Sequence, residues 1–392
     1  MKIKYFVVGG NNTGGNRKKI HNQISALIQL EMDVEMVLVV AESLHYPSYP
    51  YLTIHDVGSI QSDNILGRIR RAWDISRIFQ DTIEKLDHDD ILYCRFEPFF
   101  PLYYPVNYQK NLRACKIVTE HQTIEVNEYK LDHGFLACLY FKIFARFIRG
   151  QSDAIVGVTD EITGYQVIHS GDSGKPHITI GNGINVASVS IRPPLLYSGD
   201  TIDLLFMASD TNRWHGVDRI IRGLANYNGP IKVLLHIAGN GPELPPLQKL
   251  VNMLDITGQV IFHGFATGKD LDHLFNTCHI AIGSLGLHRI GLNEASILKA
   301  RDYCARGIPY IISCPDPDFP DNFPYILRIP ADETPVDIEK IIGFAQRIYE
   351  DPDFSQKMRA YAVEKLDWSV KMKILKVFLE TLIDKPKQKS GS

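Results

Sequence analysis

The chain has 392 residues, with 42 basic against 45 acidic side chains and a net charge of −3. That length is enough for two domains, each able to bury its own core, and the near-neutral balance argues against a wholesale nucleic-acid binder. Hydrophobic residues make up 45% and charged residues 22%, ordinary values for a soluble globular protein, and apolar runs stop short of the ~18 residues a membrane span requires. The opening segment reads as a first strand rather than a signal peptide. The six cysteines form no CxxC pair and sit mostly in apolar segments, as reduced core residues of a cytosolic protein do.

Short β-rich runs alternate with longer amphipathic ones, which predicts parallel sheets covered by helices. In the first half, strands are expected at 3–8, 34–40, 52–57, 91–96, 116–119 and 153–159, with helices at 16–31, 65–86 and 135–149. The stretch 186–200, carrying Arg192-Pro193-Pro194 and Ser198-Gly199, lacks apolar periodicity and predicts a linker. A second series follows, with strands at 204–208, 232–238, 260–262, 280–283 and 309–313 and helices at 217–227, 244–254, 270–277 and 292–306. The run 367–383 is again amphipathic. Ligands of open parallel sheets bind at the carboxyl ends of the strands, so two such domains are expected to present those ends to one cleft. The helix 135–149 mixes large apolar residues with Lys142, Arg146 and Arg149. It reads either as a core-facing helix with a basic edge or as one resting on an anionic bilayer.

Several constellations could carry chemistry. Gly9-Gly10-Asn11-Asn12-Thr13-Gly14-Gly15 separates the first strand from the first helix, where a glycine loop and a helix N-terminus can receive an anion. Glu120-His121 follows a strand, a position from which a histidine can reach a sugar hydroxyl or remain a structural hydrogen-bonding group. Trp214-His215-Gly216-Val217-Asp218 opens a helix, and Gly239-Asn240-Gly241-Pro242 is a turn at a strand end. Glu294 and Asp302 lie eight residues apart, which predicts two carboxylates on similar faces of one helix. Lys299 lies between them, and Ala305-Arg306-Gly307-Ile308-Pro309 follows.

This ordered set resembles the retaining GT-B glycosyltransferases related to sucrose synthase and bacterial mannosyltransferases, most densely from Asn182 to Pro309. Asn182-Gly183-Ile184-Asn185 is similar to the family's Asn-Gly-Val-Asp turn, Gly239–Pro242 to its Gly-x-Gly-Pro element, and Glu294 to Asp302 to its Glu-x7-Glu signature. The Lys299-x-x-Asp302-Tyr303 spelling is close to a subgroup found among polysaccharide-assembly transferases, and Trp368 resembles the family's late Trp. The resemblance implies two Rossmann-like domains facing across a cleft: an acceptor-side domain over 1–190, a nucleotide-sugar domain over 201–365, and a helix over 366–384 crossing back to the first. It implies retaining, metal-independent transfer from a nucleotide diphosphate sugar, the co-substrate, with no resident cofactor and no nucleic-acid partner. The acceptor would be a glycan or lipid-linked, in the cytoplasm or at the inner face of the membrane, where peripheral contact is expected.

By the same resemblance His121 and Glu294 would contact the donor sugar, and Asp302 would hold the ribose hydroxyls. Gly14 and Gly15 would form the first domain's glycine loop, and Gly241 part of the donor turn. Backbone N–H groups of Ala295 and Ser296 would meet the diphosphate. The family's Arg and Lys clamp is replaced here by Ser209 and His215, which leaves Arg213 or Lys299 to supply the missing charge. Three alternatives remain at this stage: a nucleotide-sugar 2-epimerase of the same fold, a catalytically degenerate scaffold partner, and a Rossmann oxidoreductase.

Overall fold

A computed structural model describes residues 1–9, 15–40, 49–58, 65–96, 103–127 and 135–383. The chain divides into two compact units, one of residues 1–180 with 371–392, the other of 181–370. The stretch 186–200 therefore lies inside the second unit, whose break with the first falls at Ile180/Gly181.

The first unit is a seven-stranded sheet of β1 (Lys2–Gly9), β2 (Asp33–Val40), β3 (Leu52–Asp56), β4 (Ile91–Arg95), β5 (Lys116–His121), β6 (Ala154–Gly157) and β7 (His177–Thr179). Its strand order is β3-β2-β1-β4-β5-β6-β7, with every neighbouring pair parallel. The connecting helices are α1 (Gly15–Gln29), α2 (Ile65–Glu84), α3 (Phe135–Gln151) and α4 (Asp160–Ile168). Strands buried on both faces read as continuous apolar runs, and β1, β2 and β4 do so. α2 and α3 pack into one core cluster with Phe6, Leu92 and Ile117 of the sheet.

The second unit repeats the plan with six parallel strands: β8 (Thr201–Ala208), β9 (Lys232–Gly239), β10 (Val260–Gly264), β11 (Ile280–Ile282), β12 (Tyr310–Ile312) and β13 (Ile326–Arg328). They stand in the order β10-β9-β8-β11-β12-β13. The helices are α5 (Val217–Asn226), α6 (Leu244–Met253), α7 (Gly268–Thr277), α8 (Leu298–Arg306), α9 (Ile338–Tyr349) and α10 (Phe354–Tyr361). The last helix, α11 (Trp368–Ile383), starts in the second unit and from Lys371 onward belongs to the first.

All six cysteines are buried and unbridged. No helix among the described residues is long and apolar enough to cross a membrane. Glu120 and His121 are the last two residues of β5 rather than residues beyond it. Five elements stand outside the expected set: β7, α4, β13, α9 and α10.

A buried carboxylate ties α1 to the sheet. Glu120 accepts hydrogen bonds from Tyr5 of β1 at 2.5 Å, from Lys19 at 3.0 Å and Gln23 at 3.2 Å on α1, and from Gln122 at 2.8 Å. Burial alone would raise its pKa. The Lys19 charge and the Tyr5 and Lys19 hydrogen bonds outweigh that and hold it at about 2. A buried ion pair broken from one side is strongly destabilising. Glu120→Ala should therefore cost the first unit about 3–5 kcal/mol in denaturant unfolding, and Glu120→Gln distinctly less. A cost below about 1 kcal/mol would show that the network is peripheral to stability.

Candidate active site

The strand order of the second unit reverses between β8 and β11, and open parallel sheets receive ligands at the carboxyl ends beside such a reversal. The two loops that leave these strands are joined by backbone hydrogen bonds from Leu285 N–H to the His215 carbonyl (2.8 Å) and from Gly286 N–H to the Trp214 carbonyl (3.2 Å). Arg289 adds a two-pronged pair with Asp218 (2.9 Å to each oxygen) and a bond to the Arg213 carbonyl (2.7 Å). Arg219, fully buried, binds the carbonyls of Leu285 (2.5 Å), Thr334 (2.9 Å) and Pro330 (2.9 Å). Planar guanidinium donors suit such multi-acceptor positions.

The fit leaves no space for a side chain at Gly216. Its φ is +64°, and an added Cβ would stand 2.7 Å from Gly286 N. Gly241, two residues past the end of β9, is equally restricted: φ is +129°, and a Cβ would lie 2.2 Å from Thr211 N. Both positions require glycine's freedom and its lack of bulk.

Into this frame α8 sends Lys299. Its Nζ sits 4.3 Å from the centroid of the Phe206 ring on β8 and has no hydrogen-bond partner, although the stem keeps some solvent contact. Burial lowers the ammonium pKa to about 7. The ring face offers a cation–π contact but no carboxylate or carbonyl. Beside it, His215 is buried, and its Nδ1 accepts the Asn212 N–H at 3.0 Å. That leaves the neutral ring's proton on Nε2 as a donor. Burial and the Lys299 charge push the His215 pKa well below its ordinary value, so it donates as a neutral group and adds no charge. Arg213 is exposed and makes no ion pair among the described residues. The helix α8 starts with Ile297 at its N-cap and no side-chain cap; the Ala300 N–H donates to the Ile297 carbonyl at 3.0 Å, which leaves the N–H groups of Leu298 and Lys299 without an internal acceptor.

The expected helix over 292–306 is shorter than predicted. It begins at Leu298, so Asp302 is helical but Glu294 lies in the preceding loop, partly exposed. Eight-residue spacing therefore does not place these two carboxylates on one helical face. The Ala295 N–H donates to the Pro315 carbonyl at 3.0 Å and is not offered to a ligand. The Ser296 hydroxyl is occupied by the Asn182 N–H (2.6 Å) and by Arg301 (2.7 Å). Asp302 pairs with Arg306 at 2.8 Å, and Arg306 also reaches Asp272 at 2.7 Å.

The loop between Gly291 and Leu298 is held from beneath by Arg301. Completely buried, Arg301 binds Asp316, Asp318, the Asn182 carbonyl (2.8 Å) and the Ile297 carbonyl (3.2 Å). Sequence reasoning passed over this residue. The only signal was a basic residue inside the Glu294–Asp302 block and two aspartates 15 and 17 positions later, a pattern with no periodicity.

In the first unit His121 has no exposed surface. Its Nδ1 meets Glu125 at 2.8 Å and its Nε2 meets Thr119 at 3.1 Å, while Arg149 (3.2 Å) and Gln166 (2.8 Å) share Glu125. Both ring nitrogens are engaged, so in this arrangement His121 is an internal hydrogen-bonding group. Gly14 lies outside the described residues, and Gly15 is the first residue of α1. Among the described residues no group of three or more His, Cys, Asp or Glu is arranged to hold a metal ion.

Lys299 has a pH signature in stability. A lysine whose folded pKa is depressed disfavours folding below that pKa, and the penalty is relieved as pH rises towards the unfolded value of 10.5. Lys299→Met should therefore melt several degrees above the parent protein near pH 6, with the gap closing between about pH 7 and pH 10. A gap independent of pH would contradict the burial of this charge.

Residues 192–319 match the family model described as glycosyl transferases group 1. No curated protein matches by sequence. Sucrose-phosphate synthase from Thermosynechococcus elongatus shares the fold at a TM-score of 0.69 and 14% identity, covering 97% of this chain and 98% of its own. HepE from Anabaena, in complex with UDP-glucose, gives a TM-score of 0.68 at 12% identity over 97% and 100% of the two chains. The lipopolysaccharide outer core galactosyltransferase WaaB gives 0.61 at 16% identity over 97% and 99%. With two parallel sheets whose strand order reverses beside the first strand of each, the chain has the GT-B fold, and its residues 192–319, which include Lys299, form a group 1 glycosyl transferase domain.

Proposed function

We propose that the protein is a retaining, metal-independent transferase. It moves a sugar from a nucleoside diphosphate sugar to a glycan or lipid-linked acceptor in surface polysaccharide assembly, at the inner face of the membrane. The observation that carries this reading is the Lys299 ammonium, buried without a partner at the carboxyl end of the sheet beside an uncapped helix N-terminus. An anion is the missing partner that this arrangement fits. The crystallised relatives support a nucleotide sugar as donor, since HepE is described in complex with UDP-glucose. WaaB, described as a lipopolysaccharide outer core galactosyltransferase, supports a surface glycan as acceptor.

In this mechanism negative charge grows on the departing diphosphate, and preorganised donors aimed at that charge lower the barrier. Lys299 supplies the positive charge, His215 a neutral N–H from Nε2, and the start of α8 the backbone N–H groups of Leu298 and Lys299. Arg213, exposed on the same loop as His215, closes on the diphosphate from the solvent side. Glu294 contacts the donor sugar and Asp302 the ribose hydroxyls, with Arg306 setting the Asp302 carboxylate. The leaving phosphate takes the proton of the incoming acceptor hydroxyl on the same face, so the anomeric configuration is kept. His121 acts as a positioning residue, through the Glu125–Arg149–Gln166 network.

Loss of one charge-assisted contact to the diphosphate is worth about 1.5–3 kcal/mol. Lys299→Met should then lower kcat/KM for the donor by about 10- to 100-fold, with Arg213→Ala costing less. An unchanged Lys299→Met enzyme beside an inactive Arg213→Ala enzyme would move the charge to Arg213. Product from an α-configured donor should show the α-anomer by NMR, and an inverted product would refute retention.

A further inference from the structure

Eight of the large apolar side chains that the first unit exposes lie on two helices and the turn beside them. α3 exposes Leu139 (47%), Tyr140 (49%), Ile143 (62%) and Phe147 (49%). Residues 139, 143 and 147 follow at four-residue intervals and form a stripe about 12 Å long on one side of the helix. Lys142 and Arg146 are exposed along its edge, and the helix contains no Asp or Glu from Phe135 to Gln151. The opposite side, with Cys138, Phe141, Ala145, Ile148 and Arg149, is buried against the sheet.

A soluble helix normally turns mixed charges outward. From Leu139 to Phe147 this one turns out only aliphatic, aromatic and cationic side chains.

α2 packs into the same core cluster as α3, so both cover the same side of the sheet. Its first four turns expose Leu66 (73%) and Trp73 (65%) with Arg68, Arg70 and Arg77, and of these Leu66, Arg70, Trp73 and Arg77 fall along one line of the helix. Asp74 is the single carboxylate in that stretch; Asp81 and Glu84 lie at the far end. Val106 (71%) and Leu112 (51%), in and beyond the turn Val106–Tyr108 that packs beside α2, add two more exposed apolar groups.

We propose that this side of the first unit, formed by the outward faces of α2 and α3, docks on an anionic lipid surface. Leu139, Ile143, Phe147 and Trp73 enter the interfacial layer, and Lys142, Arg146, Arg70 and Arg77 meet the headgroup phosphates. Apolar insertion alone is weak for so few side chains, and cationic attraction to anionic lipid supplies the second signal that stable peripheral attachment needs. The absence of acidic groups on α3 sets the charge of the partner, because a face of this kind repels nothing anionic. The inference deepens the proposed function by naming the surface that would bring the transferase to a lipid-linked acceptor, and it rests on that reading only for its purpose.

The test is sedimentation of the full chain with vesicles. The protein should pellet with vesicles of equal parts phosphatidylcholine and phosphatidylglycerol, remain in solution with phosphatidylcholine alone, and be released from the mixed vesicles by high salt. Ile143→Ser/Phe147→Ser and Lys142→Glu/Arg146→Glu should each lower the bound fraction about tenfold or more, and Trp73→Ser should lower it measurably. Melting temperature and nucleotide binding should stay as in the parent, because none of these residues belongs to the donor site. Failure to bind the anionic vesicles, or binding unaffected by the two double variants, overturns the proposal. So does a dimer in solution that the same variants convert to monomers, since a second copy would then own the face. Nucleotide binding is read separately, so loss of the lipid surface and loss of the transferase reading give different results.

Discussion

The structure turns on one costly arrangement, an ammonium group withdrawn from water with no acceptor to meet it. Burying an unpaired charge costs several kcal/mol, and the Phe206 ring recovers only part of that. The chain carries this cost at the carboxyl end of the second sheet, where the strand order reverses and backbone geometry already favours an anion. Lys299 is poised between its two protonation states near neutral pH. An arriving diphosphate would complete the ion pair and hold the proton in place. Strain of this kind is retained where a ligand relieves it.

Everything around Lys299 limits how far the site can relax. Arg289 and Arg219 weld the loop after β8 to the loop after β11, and Gly216 lets their backbones approach closely. Arg301 anchors the segment that carries Glu294 to Asp316, Asp318 and the Asn182 turn. Three guanidinium groups bind mainly carbonyls and carboxylates of the unit itself, so they stay out of the chemistry and act through rigidity. Preorganisation of this sort separates a site that stabilises a developing charge from one that has to assemble around it. The lowered His215 pKa follows from the same crowding: one cation is tolerated here, and a second is suppressed.

Much of the fold was legible in the sequence. Alternating apolar and amphipathic runs located nearly every strand, because parallel strands buried on both faces leave long apolar signatures. β7 and β13 have three residues each and α4 is only weakly amphipathic, so they left little pattern to read, whereas α9 repeats apolar residues at 338, 341, 342, 345 and 348, a helical spacing that was legible and passed over. The site was legible in its residue types but not in its geometry. Lys299 and Arg213 stood out by the absence of the family's clamp. That the Lys299 ammonium would be dry depended on Phe206, 93 positions away. Glu294 fell off the helix because Asn293 to Ile297 form an irregular approach pinned by Arg301 and the Pro315 carbonyl, a tertiary constraint with no local signature. His121 reads in sequence as a strand-end histidine facing a ligand. Its burial is set by Glu125 and Thr119, and by an Arg149 that comes from the next helix.

Proton uptake on donor binding tests the central claim most directly. Calorimetric titration of a nucleoside diphosphate into the protein should be run slightly above pH 7, in buffers of different ionisation enthalpy. If Lys299 is the buried cation that awaits the diphosphate, the observed heat will vary with the buffer in the sense of proton uptake, by a fraction of one proton per site. In Lys299→Met the dependence will vanish along with most of the affinity. Tight binding with no buffer dependence in the parent protein, or an unchanged dependence in Lys299→Met, would contradict the account.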